Sequence, residues 1–208
     1  FLAGPAESLN PKYNASDTCI CTSQLGLLAM ISKDELEAYR KGGRIICELR
    51  RTVPRLVHEG GLVRELCERV EAEITALGGQ PAFPCNVGIN EVSAHYTSPW
   101  DDVSVLPSGA IVKVDFGVHI DGYLTDTAVS VSLNSVYGSM IEVAEEALRS
   151  GISMIAHGVK FSDVGERIER TINQYGCRPI RNLTGHKIER YTIHAGRSVP
   201  NVAGPAPG

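Results

Sequence analysis

Apolar side chains recur at helical spacing through residues 32–58 and 62–77, and again through 138–157 and 162–175, where Met140, Ile141, Ala144, Ala147, Leu148 and Ile152 mark one stripe. Ser32 and Glu35, with Leu36 following, have the form of a capping box at the start of the first helix, and Pro54 is placed to bend that helix near its end. Between the helix pairs the period changes. The segment "PAFPCNVGINEVSAHYT" reads as extended, and residues 111–133, "IVKVDFGVHIDGYLTDTAVSVSL", are two apolar runs around an Asp-Gly pair. Asp121-Gly122 is a strong hairpin signal, because a two-residue type I′ turn needs positive φ at both central positions.

That turn fixes a register. If Ile120 pairs with Tyr123, then His119 faces Leu124, Gly117 faces Asp126 and Asp115 faces Ala128. Asp115 and Asp126 then share one side of the sheet as diagonal neighbours, with backbones roughly 7 to 8 Å apart. The other side carries Val114, Phe116, Val118, Ile120, Thr125, Thr127, Val129 and Val131, the face expected to pack on a core. Gly117, without a side chain, is expected to leave open space between the carboxylates. Two readings of the aspartates follow: they lie on the wet face of a half-buried sheet, or a cation sits between them and offsets the repulsion of like charges.

The helix–helix–extended pattern occurs twice. Shifting the sequence by 98 positions sets "ERVEAEITALGG" over "ERIERTINQYGC", and aligns Gly60 with Gly158 and Gly78 with Gly176. A common order of elements at one offset points to duplication. At that offset Gly208 corresponds to Ala110, so a second hairpin, with counterparts of Asp115 and Asp126, is expected beyond the last residue. The first 29 residues show no clear periodicity, and the folded domain is expected to begin near Met30 and run through residue 208.

Composition narrows the partners. The 208 residues are 43% apolar, and 20 basic against 24 acidic residues leave a net charge of −4, with no basic stripe to favour nucleic acid or an anionic membrane. No apolar run approaches the roughly 18 residues of a membrane span. Six cysteines without a C-x-x-C pair fit reduced thiols in a cytoplasm rather than a disulfide framework. The sequons at Asn14 and Asn182 are read as chance matches.

Histidines supply the second candidate chemistry. "SAHYTSPW" contains His95, and "RPIRNLTGHKIERYTIHAGRSVPNV" contains His186 and His194, with a turn at Gly185 expected to present His186. A lone histidine is more often a satisfied loop or strand residue than a ligand. Combined with two aspartates, however, imidazole suits Mn, Fe, Co, Ni or Zn better than Ca or Mg. Three ligands are too few for two ions, and a dinuclear hydrolytic site wants carboxylates that bridge both.

"AFPCNVGINEVSAHYT", "KVDFGVHIDGYLTDTAVSV" and "PIRNLTGHKIERYTIHAG" resemble the type 2 methionine aminopeptidases, in the archaeal-like form, from about Met30 to the end of the chain. The resemblance implies an α+β pita-bread fold, a pseudo-twofold repeat of helix pair plus β-hairpin whose second repeat is incomplete here. It implies Asp115, Asp126 and His186 as ligands of two divalent transition-metal ions, with Asp126 bridging, and two glutamate ligands without a position in these 208 residues. The chain as it stands is therefore expected to be inactive. His95 and His194 match the family's catalytic, substrate-contacting histidines, and Phe83 and Ile193 match walls of the methionine pocket. Cys85 is read as a small buried thiol and not a nucleophile. The implied substrate is the N-terminal methionine of nascent polypeptides, with the ribosome as a candidate partner, a monomeric state, and neither a membrane nor a specific nucleic acid. An alternative is a non-catalytic binding protein of the same fold, associated with ribosome or RNA, but such relatives lose metal ligands. Xaa-Pro peptidases carry a large separate N-terminal domain, for which the sequence has no counterpart.

Overall fold

The structure, a computed structural model, describes residues 31–204, so the irregular segment expected over residues 1–29 lies outside it. Helix α1 spans Lys33–Thr52, and its capping box forms as expected. The Ser32 hydroxyl accepts from the Glu35 amide at 3.1 Å, while the Glu35 carboxylate accepts from the Ser32 amide at 2.7 Å. The expected bend at Pro54 is a true stop: Val53–Leu56 tighten into a 3₁₀ turn, because proline has no amide hydrogen to continue the α-helical ladder. Helix α2 spans Val63–Ala76, α3 spans Gly138–Ser153 and α4 spans Phe161–Gln174, so α3 ends four residues before the expected position 157.

Four strands form one antiparallel sheet: β1 (Gln80–Pro81), β2 (Asn86–Ile89), β3 (Ile111–Ile120) and β4 (Tyr123–Ser132). Strand β3 is the spine, with β4 along one edge and both β1 and β2 along the other. The hairpin register is the expected one, from Ile120–Tyr123 through Gly117–Asp126 to Asp115–Ala128. Asp121 and Gly122 have φ of 51° and 86°, the signature of the type I′ turn. Most of the segment 82–97 is not extended; apart from β2 it loops, and the two-residue strands β5 (Gly185–His186) and β6 (Ser198–Val199) pair in a separate small sheet.

The apolar face of the hairpin is buried as its alternation requires. Val112, Val114, Phe116 and Val118 are inaccessible and meet Ile45 and Leu49 of α1 and Val63, Leu66, Val70 and Ile74 of α2. A second, smaller cluster joins Ala147 of α3 to Val164 and Ile168 of α4. Between the sheet and the second helix pair lies an apolar cleft of about 450 Å³, bordered by Ile111, Val143, Ala147, Ile168, Ile172 and Leu183. Among the described residues no helix is long and apolar enough to cross a membrane.

Leu49 is wholly buried where α1 meets the sheet. Replacing it with alanine should lower the unfolding free energy by about 2–5 kcal/mol, read from the urea midpoint at unchanged slope.

Candidate metal and active site

Because side chains alternate along a strand, the register places Asp115, Gly117 and Asp126 on the face opposite Val114 and Phe116. The space at Gly117 is not open, contrary to the expectation from its missing side chain. A Cβ there would lie 2.5 Å from Cε1 of Phe83 and 2.9 Å from the Ala82 methyl. Glycine is required because the loop after β1 folds back over the hairpin, with the Ala82 amide donating to the Gly117 carbonyl at 3.0 Å. The same approach seats Phe83 over Gly117, the residue that pairs with Asp126.

Both carboxyls hold their protons more tightly than usual. Burial and then the neighbouring Asp126 raise Asp115 to about 6, against the opposing charges of Lys113 and His95. Asp126 is raised by burial, partly offset by the contact with His186 and by the charge of His194. Three sequence-distant groups therefore act on the hairpin carboxyls: His95 on Asp115, and His186 and His194 on Asp126.

His186 Nε2 lies 3.1 Å from Asp126 Oδ2, and the His186 and His194 rings stand 4.2 Å apart. The expected turn at Gly185 is replaced by strand pairing, Gly185 with Val199 and His186 with Ser198. His186 Nδ1 is buried with no hydrogen-bond partner. The loop after β5 closes through paired amide–carbonyl bonds between Glu189 and Thr192, and a bond from Ala195 N to Lys187 O at 2.8 Å, leaving Ile193 half-buried beside His194.

Two residues that the sequence reading passed over fix this loop to the hairpin. Tyr191, at φ 57°, donates its amide to the Gly122 carbonyl at 2.8 Å, and its ring lies so close that a Cβ on Gly122 would meet it at 2.4 Å. Arg190 Nε donates to the Asp121 carbonyl at 2.8 Å and its guanidinium lies over the rings of Tyr123 and Tyr191. The only sequence signal was an Arg-Tyr pair midway between two histidines. On the opposite side of β4, the half-buried Arg50 donates to Thr127 Oγ1 and the Ala128 carbonyl, pinning the strand next to Asp126.

His95 precedes Tyr96 in the loop after β2 and has φ 65°, a left-handed conformation that costs a non-glycine residue about 1–2 kcal/mol. Cys85 is buried, and the adjacent Cys67 thiol together with burial pushes its own thiol far from ionisation, so it serves packing and not nucleophilic attack.

The donor chemistry fits a divalent transition metal: two carboxylates of raised proton affinity and an imidazole with an orphaned nitrogen. Among the described residues no three His, Cys, Asp or Glu side chains form a ready-made cation cage; the close contact is the Asp126–His186 pair.

Two aspartates on one face of a β-hairpin, one of them met by a pair of neighbouring imidazoles, make a donor set suited to a metal, and residues 37–207 match metallopeptidase family M24, to which the chain belongs. Within that family it is 46% identical over 173 residues to a methionine aminopeptidase of Thermococcus onnurineus, covering 83% of this chain and 59% of that protein. It is 42% identical over 183 residues to a methionine aminopeptidase of Methanothermus fervidus, covering 81% of this chain and 97% of that one. The chain thus spans a little under three fifths of the Thermococcus relative. A crystal structure of a methionine aminopeptidase from Thermotoga maritima superposes with a TM-score of 0.76 at 25% identity, over 87% of this chain and 76% of that one. A prolidase from Pyrococcus furiosus, at 21% identity and TM-score 0.68 over 82% of this chain and 51% of that one, shares the fold. The architecture is the pita-bread fold, with its first helix pair and hairpin, its second helix pair, and the small β5–β6 sheet.

The raised Asp115 gives the metal-free chain a signed pH dependence. The folded state binds this proton more tightly than the unfolded state does, so the stabilisation is complete below about pH 4 and is lost as pH rises through about 6. Unfolding free energy should fall by up to about 3 kcal/mol over that interval. Urea titrations at a series of pH values should show this slope, and Asp115→Asn should remove most of it.

Proposed function

We propose that the protein carrying this chain hydrolyses the first peptide bond of polypeptides that begin with methionine, using two divalent transition-metal ions from the set Co, Mn, Fe, Ni and Zn. The observation that carries this reading is the 3.1 Å contact of His186 with Asp126 on the face that Asp126 shares with Asp115. Asp115, Asp126 and His186 would hold the metal. When bound, the ions supply Lewis acidity and an activated water.

The remaining roles belong to side chains of the chain itself. His95 and His194 flank the carboxylates from two different loops, each with an imidazole N–H able to donate to the oxygen of the attacked carbonyl as it gains charge. Phe83, seated over Gly117, and Ile193, beside His194, wall the pocket for the methionine side chain and keep water from its thioether. The substrate would be the N-terminal methionine of nascent chains, on which the protein would act as a monomer in the cytoplasm near the ribosome. This reading is supported by the naming of the Thermococcus, Methanothermus and Thermotoga relatives as methionine aminopeptidases.

Metal titration beside steady-state kinetics separates the roles. Asp126→Asn or His186→Ala should weaken cobalt or manganese binding by about a hundredfold or more. His95→Ala should leave metal content intact and lower methionine release by about 10²-fold or more. Loss of metal in step with activity in His95→Ala would make His95 a ligand and refute this division.

A further inference from the structure

We propose that Asp102 is a positioning residue for His95: its carboxylate holds the turn that sets the direction of the imidazole, acting through Tyr96. The inference deepens the role given to His95 above and rests on that reading. Asp102 is only 8% exposed although it lies in a loop of exposed residues, Asp101, Val103 and Ser104. Among the described residues no basic side chain forms an ion pair with it, and its partners are neutral donors. Oδ2 accepts from the Ser98 hydroxyl at 2.7 Å and from the Tyr96 hydroxyl at 3.1 Å, and Oδ1 accepts from the Ser104 amide at 2.8 Å. The Ser104 side chain first, then Ser98, the Ser104 amide and Tyr96, hold the carboxyl at about 2, so it is ionised wherever an aminopeptidase works.

This carboxylate joins the start of α2 to the residue that follows His95. Ser104 is fixed, because its carbonyl accepts from the Val63 amide at the start of α2 at 2.9 Å, and the neighbouring Trp100 carbonyl accepts from Arg64 at 2.8 Å. Tyr96 is the other end. Its backbone carbonyl accepts from the Val87 amide of β2 at 2.9 Å, and Thr97 donates to the Asn86 side chain. Asn86 in turn pairs with Asp115 in the sheet. The peptide after His95 is therefore held at two places: to β2 through its backbone, and to α2 through the Tyr96 hydroxyl and Asp102. His95 itself has a strained φ of 65°, which a loop free to relax would not retain. Strain at this residue persists because the following residue is over-determined.

A double-substitution cycle distinguishes positioning from general support of the fold. The test substitution is Tyr96→Phe, which removes only the hydroxyl of a surface-accessible ring; Asp102→Asn is the second. With manganese and a short peptide that begins with methionine, Tyr96→Phe should lower kcat about tenfold, the scale of one hydrogen bond, with KM unchanged. Asp102→Asn should lower it further, toward about 10²-fold. Neither should lower activity again in a His95→Ala background, and in ¹H–¹⁵N spectra the His95 imidazole signals should move in both variants. Unmoved His95 signals, or an equal further loss in the His95→Ala background, would overturn the proposal. If the unsubstituted protein that carries this chain, with the two expected glutamate ligands, releases no methionine, the functional reading fails, while the His95 signals still decide whether Asp102 orients that ring.

Discussion

Two carboxylates confined to one face of a β-hairpin, partly out of water, repel each other and each resists ionising. Much of the remaining structure answers that constraint. The aspartates cannot separate, because the Asp121-Gly122 turn fixes the register and the β3–β4 ladder propagates it without a bulge. They cannot swap faces either, because the reverse face of the hairpin is the centre of the molecule, with Phe116, Val114 and Val118 wholly buried under α1 and α2. The fold thus uses hydrophobic burial on one side of a strand to hold an electrostatically unfavourable arrangement on the other.

Groups from other parts of the chain reduce that cost from several directions. His186 meets Asp126 directly, His194 stands behind it, and the charges of Lys113 and His95 oppose the rise at Asp115. Arg50 contributes differently, as a strut from α1 whose two hydrogen bonds fix the backbone and hydroxyl beside Asp126 without approaching its carboxylate. Asp126 leans on imidazoles rather than on lysines or arginines, and an imidazole, unlike a guanidinium, can itself ligate a cation that arrives beside the carboxylate.

Legibility in the sequence followed the range of the interactions. The hairpin register could be written down pair by pair, because two adjacent residues with positive φ determine it; the capping box was equally local. The occupant of the space at Gly117 was not legible. Phe83 reaches it from a loop before β2, and no periodicity in either segment announces that approach. His186 was expected on a turn because Gly185 precedes it, but pairing with Ser198 and Val199 overrode the local preference of glycine. Tyr191 and Asp102 were invisible for the same reason: an exposed tyrosine and a loop aspartate look ordinary until the segments they join are placed side by side. The resemblance to a known family added roles for the histidines, but gave no sign of Tyr191 or Asp102.

The seating of Tyr191 on Gly122 implies an order of assembly. The hairpin needs only neighbouring residues to form, so its closure entropy is small, and it can carry Asp115 and Asp126 into place early. The loop that bears His186 and His194 docks on the finished tip of that hairpin, through the Gly122 and Asp121 carbonyls, and so has no surface to bind until the turn exists. On contact order alone, the aspartates would be in place before the imidazoles. A mispaired hairpin would leave the loop that bears His186 and His194 without the two carbonyls it docks on.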